Sequence, residues 1–146
     1  MFLHLTDDEC CILDNVARLL VVDDENIVLD LIATVLRTDG HTVTALSDPS
    51  MASDCPNIAA IDLILTDVTM TPFSGFELVK RLTILGFDGR VLFMSGFSNL
   101  SAAISQSLGE RALLEKPFTA MELRKAVNRI LSGTKAKAPQ PASVPY

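Results

Sequence analysis

Acidic, hydroxyl and basic side chains stand at the ends of four apolar runs in this sequence. Asp23 and Asp24 follow the first run, Asp67 the second, Ser95 the third and Lys116 the fourth. If the runs are parallel strands of one open α/β sheet, these side chains gather at its carboxyl edge, where such sheets bind ligands. Clustered carboxylates repel one another, so the pocket requires a hard divalent cation with oxygen ligands, such as Mg²⁺. A cation beside Asp67 would favour the arrival of a phosphoryl group there.

Apolar runs alternate along the chain with segments of helical periodicity, an order that predicts a (βα)₅ domain. We expect strands over residues 18–23, 41–46, 61–66, 90–95 and 111–115. The runs at 18–23, 61–66 and 90–95 are continuously apolar, as strands covered on both faces should be.

Helices are predicted between these strands. An apolar stripe over 26–37 that ends before a glycine predicts the first helix, and a second stripe over 100–108 predicts another. Ser74 and Thr119 each precede a glutamate by three residues, which is the capping box of a helix start. The helix after Asp48 is poorly specified, because a proline must end or distort it within about two turns.

Length and composition fit a single domain. The chain of 146 residues is 49% hydrophobic and 21% charged, and it is long enough to bury about two thirds of its unfolded surface. We assign residues 18–132 to this domain. Residues 1–17 form an N-terminal extension with a capping box at 6–9 that favours a short helix. Residues 133–146 have the composition of a disordered tail or linker.

The charge and hydropathy of the chain argue against two classes of partner. Lys and Arg total 12 against 18 Asp and Glu, and no basic block lies within the proposed domain, so we expect no nucleic-acid binding. No apolar stretch reaches the roughly 18 to 20 residues that span a bilayer, and no basic signal-peptide region begins the chain. We therefore expect no membrane contact and a cytoplasmic location.

The cysteines and histidines show no spacing typical of a chemical site. Cys10, Cys11 and Cys55 form neither a disulfide framework nor a metal-ligand pattern, and we interpret them as inert thiols. His4 and His41 stand alone, without a partner at ligand spacing.

Four short motifs occur in one order and at a characteristic spacing. They are Val21-Val22-Asp23-Asp24-Glu25, Leu65-Thr66-Asp67-Val68-Thr69-Met70 followed by Gly75, Phe93-Met94-Ser95-Gly96, and Lys116-Pro117-Phe118. Over residues 18–132 the chain thereby resembles the receiver domain of two-component response regulators. The last two motifs look most like the receivers attached to hybrid sensor histidine kinases. The resemblance implies a flavodoxin-like, doubly wound parallel sheet with strand order 2-1-3-4-5.

The resemblance also implies a role for each residue at the sheet edge. Asp67 would accept a phosphoryl group, and Ser95 would hydrogen-bond its oxygen. Lys116 would pair with Asp67 before phosphorylation and with a phosphoryl oxygen afterwards. Asp24 would ligate Mg²⁺ directly, while Asp23 would act through water or orient the site.

Three neighbouring positions complete the implied site. Thr69 would contribute its backbone carbonyl to the metal, and Pro117 would follow Lys116 through a cis peptide bond. Gly96 would leave the site open to water and to a partner's phosphohistidine, which suggests a short-lived phosphoryl group. The implied partners are a histidine kinase or histidine phosphotransfer protein, and a downstream target or output domain on a separate chain. We expect a monomer or weak dimer.

Two positions depart from the receiver pattern. Leu113 stands three residues before Lys116, where receivers usually carry Tyr or Phe, whose ring turns inward when the hydroxyl residue moves. Phosphorylation should therefore remodel the region of Ser95 more than the last strand. Pro72 follows Asp67 by five residues where four is usual, which predicts a local loop difference with intact chemistry.

Two other functions fit parts of the pattern. A phosphohydrolase of the haloacid dehalogenase type needs a second Asp as general acid two residues after its nucleophile, but Thr69 occupies that position. A receiver-like interaction module that works without phosphorylation would be consistent with Leu113. It would not explain why every side chain of the phosphorylation site is retained at the sheet edge. We predict a phosphoacceptor signalling domain that catalyses only its own phosphorylation and dephosphorylation.

Overall fold

Five parallel strands form one sheet at the centre of the fold. The structure is a computed structural model that describes residues 16–96 and 113–132. The strands are β1 (Arg18–Val22), β2 (Thr42–Leu46), β3 (Leu63–Asp67), β4 (Arg90–Ser95) and β5 (Leu113–Glu115). Their order is β2-β1-β3-β4-β5, and every neighbouring pair is parallel. The predicted flavodoxin-like fold is therefore confirmed.

Strands β1, β3 and β4 are buried on both faces of the sheet, which explains their continuous apolar runs. Successive side chains of a strand point to opposite faces, so Leu19 and Val21 join one core while Leu20 and Val22 join the other. The central strand β3 is buried along its whole length. Because apolar side chains occupy both faces, polar groups are left at the strand ends.

Three α-helices cover the sheet within the described ranges. They are α1 (Asn26–Thr38), α2 (Gly75–Ile84) and α3 (Ala120–Ser132). One core packs against α1 and α3, and the other packs against α2. The predicted end of α1 is confirmed, because Gly40 adopts a φ of 99° that glycine tolerates without strain.

The capping boxes predicted at Ser74 and Thr119 each begin a helix, but only the one at Thr119 forms in both directions. At α3, the backbone N–H of Thr119 donates to Glu122 Oε1 at 2.8 Å, and the N–H of Glu122 donates to Thr119 Oγ1 at 3.1 Å. At α2, Ser74 Oγ accepts from the N–H of Glu77 at 3.2 Å. The carboxylate of Glu77 accepts instead from Arg81 Nε at 3.0 Å. Arg81, one turn later in α2, therefore binds the carboxylate that would otherwise accept from the backbone N–H of Ser74.

The poorly specified helix after Asp48 is a pair of 3₁₀ helices, Pro49–Asp54 and Ile58–Ala60. Asp48 Oδ1 accepts from the N–H of Ser50 at 2.9 Å, which caps the first of them. Pro56 separates the two, as its missing N–H requires. The capping box at 6–9, the stripe at 100–108 and the tail at 133–146 lie outside the described residues. Among the described helices, none has the length and apolar character to cross a membrane.

Candidate functional site

The carboxyl ends of four strands bring the predicted site residues to one edge of the sheet. Asp23 directly follows β1, Asp67 ends β3, Ser95 ends β4 and Lys116 follows β5. The register aligns Asp67 with Met94, next to Ser95 on β4. All strands are parallel, so these side chains emerge at the same edge.

Lys116 lies at the centre of this group. Its Nζ lies 2.9 Å from Asp23 Oδ2, 2.9 Å from Asp67 Oδ2 and 3.0 Å from Glu25 Oε1. The side chains of Asp23 and Asp67 are 0% and 10% exposed, whereas that of Glu25 is 61% exposed. Three carboxylates thus surround one ammonium group, and the site keeps an excess of negative charge.

Burial and hydrogen bonding oppose each other at Asp23 and at Lys116, and the pKa values of both groups are raised. Burial raises the pKa of Asp23, although hydrogen bonds from Lys116 and from the N–H of Glu25 oppose this change. Burial acts to lower the pKa of Lys116, but hydrogen bonds to Asp23 and Asp67 outweigh it and raise that pKa. Lys116 therefore stays protonated, and Asp23 is a buried carboxylate that further positive charge would stabilise.

Local backbone contacts fix the carboxylate of Asp67. Its Oδ1 accepts from the N–H of Thr69 at 3.3 Å, while Oδ2 accepts from Lys116. A Cβ at Gly75 would lie 2.2 Å from the carbonyl oxygen of Asp67, so only glycine lets α2 begin this close to the strand end. The N–H of Gly75 also donates to the Val68 carbonyl at 2.9 Å.

Ser95 and its neighbours form the opposite side of the site. Ser95 is buried, and its carbonyl accepts from the backbone N–H of Lys116 at 2.7 Å. Gly96 is exposed, and the nearest atom to a Cβ placed there is Lys116 Cβ at 3.9 Å. The Lys116–Pro117 peptide bond is cis, the isomer expected for it, and the Thr71–Pro72 bond is also cis.

The acidic group fits a hard divalent cation. Asp23, Glu25 and Asp67 each offer a carboxylate oxygen, and these oxygens all lie within 4.8 Å of one another. An all-oxygen donor set suits Mg²⁺. These three residues could therefore hold a metal ion.

This group differs from the ligand set expected from sequence. Asp24 is exposed and does not belong to the group of close carboxylates, so its role as a direct ligand stays a prediction, as does that of the Thr69 carbonyl. Glu25 has no role in the ligand set expected from sequence. Its position as the third consecutive acid after β1 is the signal from which its place at the site could have been inferred.

Leu113 begins β5 beside an aromatic pair. It is aligned with Phe93 of β4, whose ring centroid lies 4.7 Å from that of Phe76 on α2. Leu113 is half-buried and packs against the same core as both rings. Rings are thus present near the usual switch position, although residue 113 itself has none.

Comparison with known proteins decides the family. The family model of the response regulator receiver domain matches residues 19–128. The chain belongs to this family. Receiver domains serve signalling and are not enzymes in the classical sense. They bind Mg²⁺ at an acidic pocket, and the carboxylate cluster at the sheet edge of this receiver domain could hold such an ion.

Three relatives show how far the similarity extends. The receiver domain is 35% identical over 82 residues to the DNA-binding transcriptional regulator NtrC of Azospirillum brasilense, covering 56% of this chain and 17% of that protein. It is 30% identical over 92 residues to the response regulator receiver protein CpdR of Brucella abortus, covering 62% and 74%. A receiver domain structure from Clostridium thermocellum superimposes with a TM-score of 0.64 at 29% identity, covering 80% and 94%.

The similarity is that of one domain. The chain spans less than a fifth of the length of NtrC, since the match covers 17% of that protein. These relatives do not confirm the narrower resemblance to receivers of hybrid sensor histidine kinases, which stays a prediction. The boundaries at 1–17, 18–132 and 133–146 also stay predictions.

Proposed function

We propose that this receiver domain accepts a phosphoryl group on Asp67 from a histidine kinase or a histidine phosphotransfer protein. The observation that carries the proposal is the 2.9 Å hydrogen bond between the Lys116 ammonium and Asp67 Oδ2, inside a cluster of carboxylates at the sheet edge. Phosphoryl transfer requires an in-line oxygen and neutralisation of charge more than proton movement. Asp67 supplies the oxygen, and Lys116 supplies part of the positive charge.

The proposed step forms one bond and breaks another. A carboxylate oxygen of Asp67 attacks phosphorus, the P–N bond to the donor histidine breaks, and the nitrogen leaves with the bonding electron pair. Lys116 then binds a phosphoryl oxygen, and Ser95 hydrogen-bonds a second one. Mg²⁺ held by Asp67, with Asp23, Asp24 and the Thr69 carbonyl as further proposed ligands, would neutralise charge on the phosphoryl oxygens.

The signal passes from the site to a partner through the region of Ser95. A hydroxyl drawn toward the phosphoryl group moves the end of β4. NtrC is named a DNA-binding regulator. This chain has a net charge of -6 and no basic block within 18–132, so we propose that it acts on a separate target or output domain rather than on nucleic acid.

Phosphorylation of the purified protein tests this proposal. With Mg²⁺ and acetyl phosphate, the intact mass of the wild type should increase by one phosphoryl group, and chelation of Mg²⁺ should prevent the increase. Asp67→Asn should show none while keeping the fold. Asp30→Asn, which changes an exposed aspartate of α1, is the matched control and should react like the wild type. An adduct that persists in Asp67→Asn would overturn the assignment.

A second candidate function is an interaction module that works without phosphorylation. The half-buried Leu113 favours it, because no ring at this position can respond to Ser95. Such a module would bind its partner with the same affinity in the wild type, in Asp67→Asn and after treatment with beryllofluoride. A change in affinity on treatment of the wild type would exclude it.

A further inference from the structure

All the donors of Lys116 are used in the unphosphorylated site. An ammonium group has three N–H donors and no acceptor. Lys116 directs them to Asp23, Asp67 and Glu25, at 2.9, 2.9 and 3.0 Å. A phosphoryl oxygen that arrives at Asp67 must therefore displace one of these acceptors before Lys116 can bind it.

Exposure decides which acceptor is displaced. The side chain of Asp23 is 0% exposed, and losing Lys116 would leave a buried carboxylate without its cation. Asp67 keeps a carbonyl oxygen after it accepts the phosphoryl group, so it can still accept a hydrogen bond from Lys116. Glu25 is 61% exposed, so water replaces its bond to Lys116 at small cost. The bond between Glu25 and Lys116 is the one that breaks most easily.

The local conformation of Glu25 is consistent with a role toward Lys116. Glu25 occupies the N-cap position of α1 with φ -94° and ψ 106°, yet its side chain makes no capping hydrogen bond. Its backbone N–H donates to Asp23 Oδ1 at 2.9 Å. At N-cap positions, a short polar side chain that accepts from the helix is preferred. The carboxylate of Glu25 contacts Lys116 instead.

We propose that Glu25 is a positioning residue, which binds Lys116 in the unphosphorylated site and releases it to the phosphoryl group on Asp67. The proposal rests on the proposed function of Asp67. Glu25 thereby controls how readily Lys116 becomes available to the phosphoryl group, and thus the rate of phosphoryl uptake.

Three variants separate contact from charge. Glu25→Gln keeps the shape but replaces a charge-assisted hydrogen bond with a weaker neutral one. Glu25→Asp keeps the charge but is one methylene too short for the contact. Glu77→Gln is the matched control, because Glu77 is an exposed glutamate paired with Arg81 at 3.0 Å on α2. Uptake from acetyl phosphate is measured at saturating Mg²⁺ and about 0.5 M salt, where long-range charge effects are screened.

Both Glu25 variants should take up the phosphoryl group about two- to fivefold faster than the wild type, as expected for an exposed ion pair. Glu77→Gln should keep the wild-type rate. Uptake that is no faster in Glu25→Gln, or a wild-type rate in Glu25→Asp, would overturn the proposal. Slower uptake with weaker Mg²⁺ binding in Glu25→Gln would also overturn it, since Glu25 would then be a metal ligand.

A second measurement needs neither metal nor phosphorylation. The ¹H–¹⁵N signal of the Lys116 ammonium group, recorded without Mg²⁺, should shift or broaden in both Glu25 variants and stay unchanged in Glu77→Gln. An unchanged signal in both Glu25 variants would overturn the proposal. Failure of the wild type to form any adduct would instead count against the proposed function, so the two failures are distinguishable.

Discussion

Asp23 is a buried carboxylate whose charged form is disfavoured by the fold. Burial raises its pKa, and Lys116 would still have Asp67 and Glu25 as acceptors if Asp23 were neutral. We expect Asp23→Asn to be more stable than the wild type by about 1 kcal/mol in the absence of metal, as is common when a functional charge is removed. Urea denaturation in a chelator measures this difference.

The exposed neighbour of Asp23 provides the control for that experiment. Asp24→Asn should change the free energy of unfolding by less than about 0.5 kcal/mol. A lower stability of Asp23→Asn than of the wild type would show that pairing with Lys116 outweighs the cost of burial.

His41 makes the stability of the fold depend on pH. It is buried, and its Nδ1 accepts from the N–H of Ala17 at 3.0 Å, a bond that a protonated ring cannot make. Burial lowers the pKa of His41 from its ordinary value of 6.5, although Asp39 opposes this. The unfolded chain therefore binds the proton more readily, and stability falls as pH drops through 6.5 toward the folded pKa.

Thermal unfolding between about pH 7.5 and 5.5 measures this dependence. The melting temperature of the wild type should decrease toward the acid end, and His41→Gln, which has no titrating ring, should decrease less. Parallel curves for the two proteins would show that His41 does not contribute.

At the scale of elements, β4 links the site to the aromatic pair. Ser95 ends this strand, while Phe93 contacts Phe76 on α2 and lies beside Leu113 on β5. Leu113 has neither a ring to bury nor a hydroxyl to re-pair, so its contribution to a two-state change should be small.

We therefore expect activation to depend on Ser95 more than on Leu113. Amide NMR shifts on addition of beryllofluoride and Mg²⁺ should be concentrated around Ser95 and Gly96, should disappear in Ser95→Ala and should persist in Leu113→Ala. Large shifts along α3 that survive in Ser95→Ala but vanish in Leu113→Ala would show that coupling runs through β5.

Elements were predictable where one local signal dominates. β1, β3 and β4 follow from continuous apolar runs, and the capping box at Thr119 marks the start of α3. The capping box at Ser74 forms in one direction only, because Arg81 one turn later competes for the carboxylate of Glu77. Prolines indicated a short helix after Asp48, but its 3₁₀ geometry depends on packing that the sequence pattern does not show.

The site was predictable as a set of strand ends but not as a network of contacts. Polar residues after apolar runs placed Asp23, Asp67, Ser95 and Lys116 at one edge. The contact between Glu25 and Lys116 joins residues 91 positions apart and depends on which way an exposed side chain points. Spacing carries no information on that direction.

At the scale of the whole molecule, a bound metal should stabilise the fold. A ligand that binds only the folded state adds about 1.4 kcal/mol when its concentration is roughly ten times its dissociation constant. The melting temperature of the wild type should therefore rise with millimolar Mg²⁺, and Asp24→Ala should lose most of this response. If the melting temperature of the wild type does not change with Mg²⁺ while that of Asp24→Ala does, the metal binds at another site.

The position of the phosphoryl group tests the central claim most directly. Borohydride reduces an aspartyl phosphate to homoserine, which peptide mass spectrometry locates after treatment with acetyl phosphate and Mg²⁺. The account predicts homoserine at position 67 alone in the wild type, and none in Asp67→Asn or without Mg²⁺. Homoserine at position 23 or 24, or an adduct on any other residue, would contradict it.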